Sequence, residues 1–269
     1  MSRTSATPRN ILFWRLLLGT MLLIAWEWGA RTGILDSFFF SRPSSIASRV
    51  WGWMSSGTIW PHLLTTFVEA ALSFAIGALF GIVLGFALAR APFLAAVLDP
   101  YIRIANALPR VVLAPIFLLW FGLGIWSKIA LGVTVVFFIV FFNTYRGVRE
   151  VDRVVIDNVR MLGATERQLI RHVLIPSALT WIFSSLHVSI GLAIIAVVVG
   201  EYLGASRGIG YMIAQAEGVF DTTGVFAGIA VLSTGVLAVG VVVDRIERRL
   251  VQWKPERAEG SAGRGRGPD

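Results

Sequence analysis

The sequence predicts an all-α, polytopic membrane protein of about six transmembrane helices. Composition is the first reason: of 269 residues, 56% are hydrophobic and only 15% are charged, where a soluble domain carries roughly a quarter charged residues. The second is patterning, since the charged residues cluster between long apolar runs and the mean hydropathy is +0.73. The third is charge placement, because basic residues crowd alternate loops, as they do where they set membrane orientation. The net charge of +8 is therefore not a nucleic-acid footprint. Absence of cysteine excludes disulfides, iron–sulfur clusters and thiolate metal sites.

A helix rising 1.5 Å per residue needs about 20 apolar residues to cross the hydrocarbon core. Six segments meet or approach this: Ile11–Ala30, Thr66–Ala89, Arg103–Phe121, Ile125–Asn143, Ala178–Gly200 and Val225–Val243. The first is long for a signal h-region and has no small-x-small site beside it, so it is read as a retained span. The third is interrupted by Pro109 and Pro115; freed carbonyls in a membrane need partners inside the protein, so this segment is expected within the bundle or along a cavity. With the N-terminus in the cytoplasm, Arg90, Arg146, Arg149, Arg153, Arg160, Arg167 and Arg171 fall inside, whereas Arg31, Arg42, Arg49, Arg207 and Lys128 fall outside. Both termini are then cytoplasmic. Trp51, Trp53 and Trp60 mark the outer stretch 41–61 as an interfacial helix.

Three regions follow. Residues 1–60 hold the N-terminal cytoplasmic end, the first span and the outer interfacial segment; 61–250 form the transmembrane core, with a cytoplasmic loop over 145–176; 251–269 are a disordered cytoplasmic tail. No internal repeat is evident.

The loop is patterned. Val155, Val159 and Leu162 fall at i, i+4 and i+7, with Arg153, Asp157 and Arg160 on another face, the signature of a short amphipathic helix. Gly163 sits where a left-handed stop is expected. Thr165 to Gln168 has capping-box spacing and opens a second helix. Pro176 marks the entry to the fifth span or a kink in it. Physics alone leaves two readings: a solvated basic loop, or a docking element that pushes on the span it enters.

The residues Asp157-Asn158-Val159-Arg160-Met161-Leu162-Gly163-Ala164, followed by Gln168-Leu169 and Ile175-Pro176, resemble the "EAA" loop of ABC importer permeases. Asp157 stands where that pattern has Glu, and Asn158 and Val159 stand for its alanines; Arg160, Leu162, Gly163 and Pro176 fit it. Ala107 to Pro115 running into Leu119-Trp120-Phe121-Gly122, Asn143 to Val148, Glu201-Tyr202-Leu203-Gly204, and Gly208-Ile209-Gly210-Tyr211 are similar to the nitrate/sulfonate/taurine branch. The resemblance implies a type I importer permease fold in the bacterial inner membrane. It also implies a second permease copy, an ABC-type ATPase docked on the loop (Arg153, Asp157, Arg160, Leu162, Gly163, Ala164 and Pro176), and a periplasmic solute-binding protein. No G-x-x-x-x-G-K-[ST] loop is present, so ATP is bound by the partner subunit, and the chain needs no cofactor of its own.

Single residues keep two readings each. Gly77, Gly81 and Gly85 form a small-xxx-small ridge, for internal packing or for a dimer interface. Arg110 either faces an anionic cargo or snorkels to headgroups. Asn106 and Asn143 contact either cargo or a neighbouring helix. Glu201 is either functional, as part of a gate or a contact for a delivering protein, or a solvated helix end. These four are the candidate translocation path. His187 is read as a packed, hydrogen-bonded histidine, because no second ligand at metal spacing accompanies it. A stand-alone transporter or channel would show ionisable residues mid-membrane, and these spans are nearly free of acids, with Glu27 and Glu69 expected near the outer end. A membrane enzyme would need a carboxylate pair or a nucleophile–base set, and none is apparent.

Overall fold

The computed structural model describes residues 8–250, so the tail expected over 251–269 lies outside the described residues. Twelve α-helices occur in that range and no strand. They are α1 (Pro8–Arg31), α2 (Ser37–Phe40), α3 (Pro43–Ser55), α4 (Ile59–Ala89), α5 (Pro92–Ala107) and α6 (Arg110–Phe121). There follow α7 (Ile125–Arg149), α8 (Arg153–Met161), α9 (Glu166–Leu169), a π-helical turn (Ile170–Leu174), α10 (Ile175–Leu203), α11 (Ile209–Gly218) and α12 (Thr222–Leu250). Five helical stretches are long and apolar enough to cross a membrane, and a sixth span arises if the bent pair α5–α6 crosses as one.

The core is α4, α7 and α10. Lipid tails are as apolar as leucine, so these helices gain from close packing rather than from leaving water. Small residues supply it. A Cβ added at Gly77 would come within 2.7 Å of Val136 Cβ, one at Gly81 within 2.9 Å of Val140 Cβ, and one at Gly85 within 2.6 Å of the Phe141 carbonyl oxygen. The glycine ridge of α4 thus lies against α7 within one protomer. Gly132 of α7 meets Ser73 of α4, and Gly147 meets Trp181 of α10. Ala78, Val136, Val140 and Ala193 fill the centre. By contrast α1 leaves Leu16, Leu22 and Trp28 exposed, as a helix facing lipid or a further chain does.

Several element boundaries differ from the sequence reading; α7 runs on to Arg149, past the start expected for the loop at 145, and α12 opens at Thr222. The interfacial helix ends at Ser55 and Trp60 belongs to α4, which starts at Ile59 rather than Thr66. A turn at Gly57, with φ of +80°, separates the two. The third segment begins at Pro92 and bends by 90° between Ala107 and Arg110. Leu108 precedes a proline, which excludes it from the α region, and it sits at φ −64°, ψ 128°. The fifth span is continuous with the loop: Glu166–Leu203 runs as one helical stretch. The π turn over 170–174 precedes Pro176, whose missing N–H breaks the regular i→i−4 ladder in any case.

Candidate functional site

The loop between α7 and α10 is built from local signals. Asp152 caps α8, its Oδ1 accepting from Val154 N at 2.8 Å. The helix ends in a Schellman motif: Gly163 N donates to Arg160 O at 2.9 Å, and Ala164 N donates to Val159 O at 3.2 Å. Gly163 takes φ +82°, where a Cβ would crowd the backbone. Thr165 and Gln168 form the reciprocal capping box of α9, with Thr165 N donating to Gln168 Oε1 at 2.8 Å.

The exposed face differs from the one the spacing suggests. Ile156 and Val159 pack against Val148, Leu169, Leu174, Ala178 and Ile182 at the end of the bundle. Val155 and Leu162 do not join them. Leu162 is 87% exposed and Met161 83%, because the Schellman turn swings the last residues of α8 off the bundle. Arg153 and Asp157 are exposed, Ala164 is half-buried, and Pro176 is exposed on α10. Glu166 ties the loop down. Its Oε1 accepts from Arg160 Nη2 at 2.8 Å, and its Oε2 lies 3.5 Å from Arg90 Nη2 at the end of α4. The result is an apolar tip beside basic residues, at the end of a helix packed against the one that enters the membrane.

The four path candidates separate into three places. Asn106 and Arg110 meet at the α5–α6 bend. Arg110 Nη1 donates to Ala105 O at 2.7 Å and Leu108 O at 3.2 Å, and Nη2 donates to Asn106 O at 3.1 Å and Asn106 Oδ1 at 3.0 Å. The guanidinium also lies 4.5 Å from the centre of the Phe138 ring. Arg110 therefore caps the C-terminus of α5, where a cation is favoured, and its donors are turned onto backbone. Asn143 Nδ2 donates to Ile139 O of its own helix at 2.8 Å. Glu201 lies at the other end of the bundle from the loop.

Glu201 is not a solvated helix end: it is 1% exposed. Its Oε2 accepts from Gly210 N at 2.8 Å, and its Oε1 accepts from Thr66 Oγ1 at 2.7 Å. Thr66 Oγ1 in turn accepts from Ile209 N at 2.9 Å, and Gly208 N donates to His62 Nδ1 at 3.1 Å. The orphan N–H groups that open α11 are thus satisfied by side chains of α4 and α10, with a carboxylate at the positive end of the helix. Gly208 sits at φ +117°, and a Cβ there would fall on the Glu201 carboxyl. The glycines of the Gly208–Tyr211 motif let the chain approach this acid. The sequence places Lys128 on the outer side and Glu69 near the outer end of its span. Both are buried, at 1% and 2% exposure, and both lie near Glu201. Lys128 Nζ donates to Leu123 O at 2.7 Å and Gly124 O at 3.0 Å. Among the described residues no group of three or more metal-ligating side chains occurs.

A family model described as "Binding-protein-dependent transport system inner membrane component" matches residues 77–252, most of the chain. The chain belongs to this family. Among curated relatives, this permease is 33% identical over 234 residues to the riboflavin transport system permease protein RibX of Chloroflexus aurantiacus, covering 87% of each chain. It is 33% identical over 238 residues to the formylaminopyrimidine transport permease protein ThiX of Halalkalibacterium halodurans, covering 88% of this chain and 94% of that one. It is 30% identical over 249 residues to the taurine transport system permease protein TauC of Escherichia coli, covering 90% of each. The fold is also that of a chain of the inward-facing MetNI methionine ABC transporter, with a TM-score of 0.59 and 19% identity over 72% of this chain and 98% of that one. The protein is thus a multi-pass permease subunit of an ABC importer, a transport component rather than an enzyme.

Proposed function

We propose that two copies of this permease line a translocation path across the bacterial inner membrane, with both termini cytoplasmic. A periplasmic binding protein delivers a small solute at the α11 end, and an ATPase docks at the α8 end. The observation that carries this reading is the relay from α8 to α10. An exposed apolar tip, Met161 and Leu162, stands on a loop packed against Val148 and Leu174. From Glu166, just past the Gly163 turn, that loop runs without a break into the span ending at Leu203. A push on the tip is delivered to the helix rather than absorbed in a floppy linker. Arg153, Asp157 and Arg160 surround the tip with charges for selecting a partner surface. The cargo proposed is a small anionic solute of the sulfonate, nitrate or taurine type, on the strength of relatives named for aliphatic sulfonate and taurine transport.

The test is affinity purification of the full chain from native membranes in mild detergent, with mass spectrometry of what accompanies it. A stoichiometric ABC-type ATPase is the expected result, and a co-purified binding protein then identifies the cargo by its bound ligand. A chain that comes out alone from several mild detergents and drives uptake without ATP overturns the reading in favour of a stand-alone transporter. The buried Glu69, Glu201 and Lys128 are the residue types such a transporter would use.

A further inference from the structure

Glu69 and Glu201 are the two buried acids among the described residues, and Thr66, one turn before Glu69 on α4, donates to Glu201, which brings the two acids together. They are not equivalent. Glu201 receives a hydroxyl and an N–H, one on each oxygen, and lies at the N-terminus of α11, which favours an anion. Glu69 receives no donor from its surroundings, and its Oε2 is buried without a hydrogen-bond partner. Lys128 does not form an ion pair with either acid, since its ammonium is turned onto the Leu123 and Gly124 carbonyls. The other ionisable groups around the start of α11 are His62 of α4, already bonded to Gly208, with Arg207 of the α10–α11 loop and Tyr211 of α11 beside that histidine. None of them supplies the missing donor.

Two bare carboxylates facing each other in a bundle would repel and would both forfeit hydration; one proton between them removes both costs. We infer that Glu69 and Glu201 hold one proton between them, with Glu69 the donor and Glu201 the carboxylate, and that this bond ties α4 to α10 and keeps the Glu201 carboxylate on Gly210 N, where it holds α11. When the proton leaves Glu69 for solvent, the two carboxylates repel, Glu201 is pushed off Gly210 N and the latch opens. The inference concerns the chain's own residues and stands whatever the cargo. Its link to transport, as a latch at the outer mouth, rests on the orientation proposed above.

The test uses the full chain in lipid nanodiscs. Infrared spectra at neutral pH should contain the isotope-sensitive carbonyl stretch of a protonated carboxyl, missing in Glu69→Gln. The glutamine amide donates where the acid did, so Glu69→Gln should keep the amide-exchange protection of Ile209 and Gly210, whereas Glu69→Ala should lose it by about tenfold, the worth of one hydrogen bond to a charged group. In the wild type, protection corrected for intrinsic exchange should fall on alkaline titration in step with the carboxyl band; in Glu69→Gln it should not depend on pH. Absence of the band from the wild type overturns the proposal, as does a Glu69→Gln chain as loosened at α11 as Glu69→Ala. Should Glu69→Gln fail to insert, the wild-type titration decides alone: band and protection falling apart from each other would overturn it.

Discussion

Replacing Gly163 by valine is expected to uncouple transport while leaving the chain inserted. A Cβ at Gly163 would meet nothing within 4 Å, so the effect cannot come from a clash with a neighbour. It comes from φ, which at +82° costs an L-residue about 1–2 kcal/mol. The chain can escape that strain only by abandoning the Schellman turn, whose two hydrogen bonds, 2.9 and 3.2 Å, are worth about 0.5–1.5 kcal/mol each. Either way the arrangement that presents Met161 and Leu162 loses about 1–2 kcal/mol, a roughly 5- to 30-fold fall in its population. Asparagine tolerates the left-handed region, so the order of function should be glycine, asparagine, alanine, valine. The assay is binding of the purified ATPase to each variant in nanodiscs, with ATP-driven uptake in proteoliposomes alongside. If valine binds and transports as well as asparagine does, the loop geometry is not what couples the two proteins.

Other outcomes follow from packing and polar geometry. Gly85→Val forces a side chain onto the Phe141 carbonyl and should lower thermal stability in detergent by the equivalent of about 1–3 kcal/mol; Gly240→Ala, with open space around it, is the control and should be neutral. Arg110→Gln removes the guanidinium that caps α5, so melting temperature and maximal uptake rate should fall while the concentration of cargo-loaded binding protein giving half-maximal uptake stays unchanged; a change confined to that concentration would restore a cargo role. Glu166→Gln weakens two exposed ion pairs, and because such pairs contribute about 0–1 kcal/mol, its melting temperature should shift by no more than a few degrees and by less at high salt.

The sequence made the α8–α9 loop legible in detail because its determinants are local. A glycine three residues after Arg160 and a Thr/Gln pair at capping-box spacing act within one turn of helix, and the Schellman turn and the capping box both form where they are expected. The orientation of α8 was not local. Periodicity groups Val155, Val159 and Leu162, but packing against Leu169 and Leu174 selects Ile156 and Val159 and leaves Leu162 outside. The bend at Leu108 was legible as an interruption, through Pro109, but its angle depends on how Arg110 folds back on the α5 carbonyls.

By itself the sequence determined that this chain is a helical membrane protein, which apolar segments form its spans though not where each begins, and how its loop turns. Each of these depends on hydrophobicity and hydrogen bonding within a few residues. Only the tertiary structure decided what the acids do. Glu27 of α1 accepts from Ser44 N at the start of α3, and Glu201 of α10 accepts from Gly210 N at the start of α11. Both cap a short helix from outside it, and Glu201 does so with Thr66 from a helix 135 residues away in sequence. Capping rules read from sequence look only to the neighbouring residues. A helix N-terminus accepts any carboxylate that the fold brings within hydrogen-bond distance, and that approach is set by the packing of α4, α7 and α10.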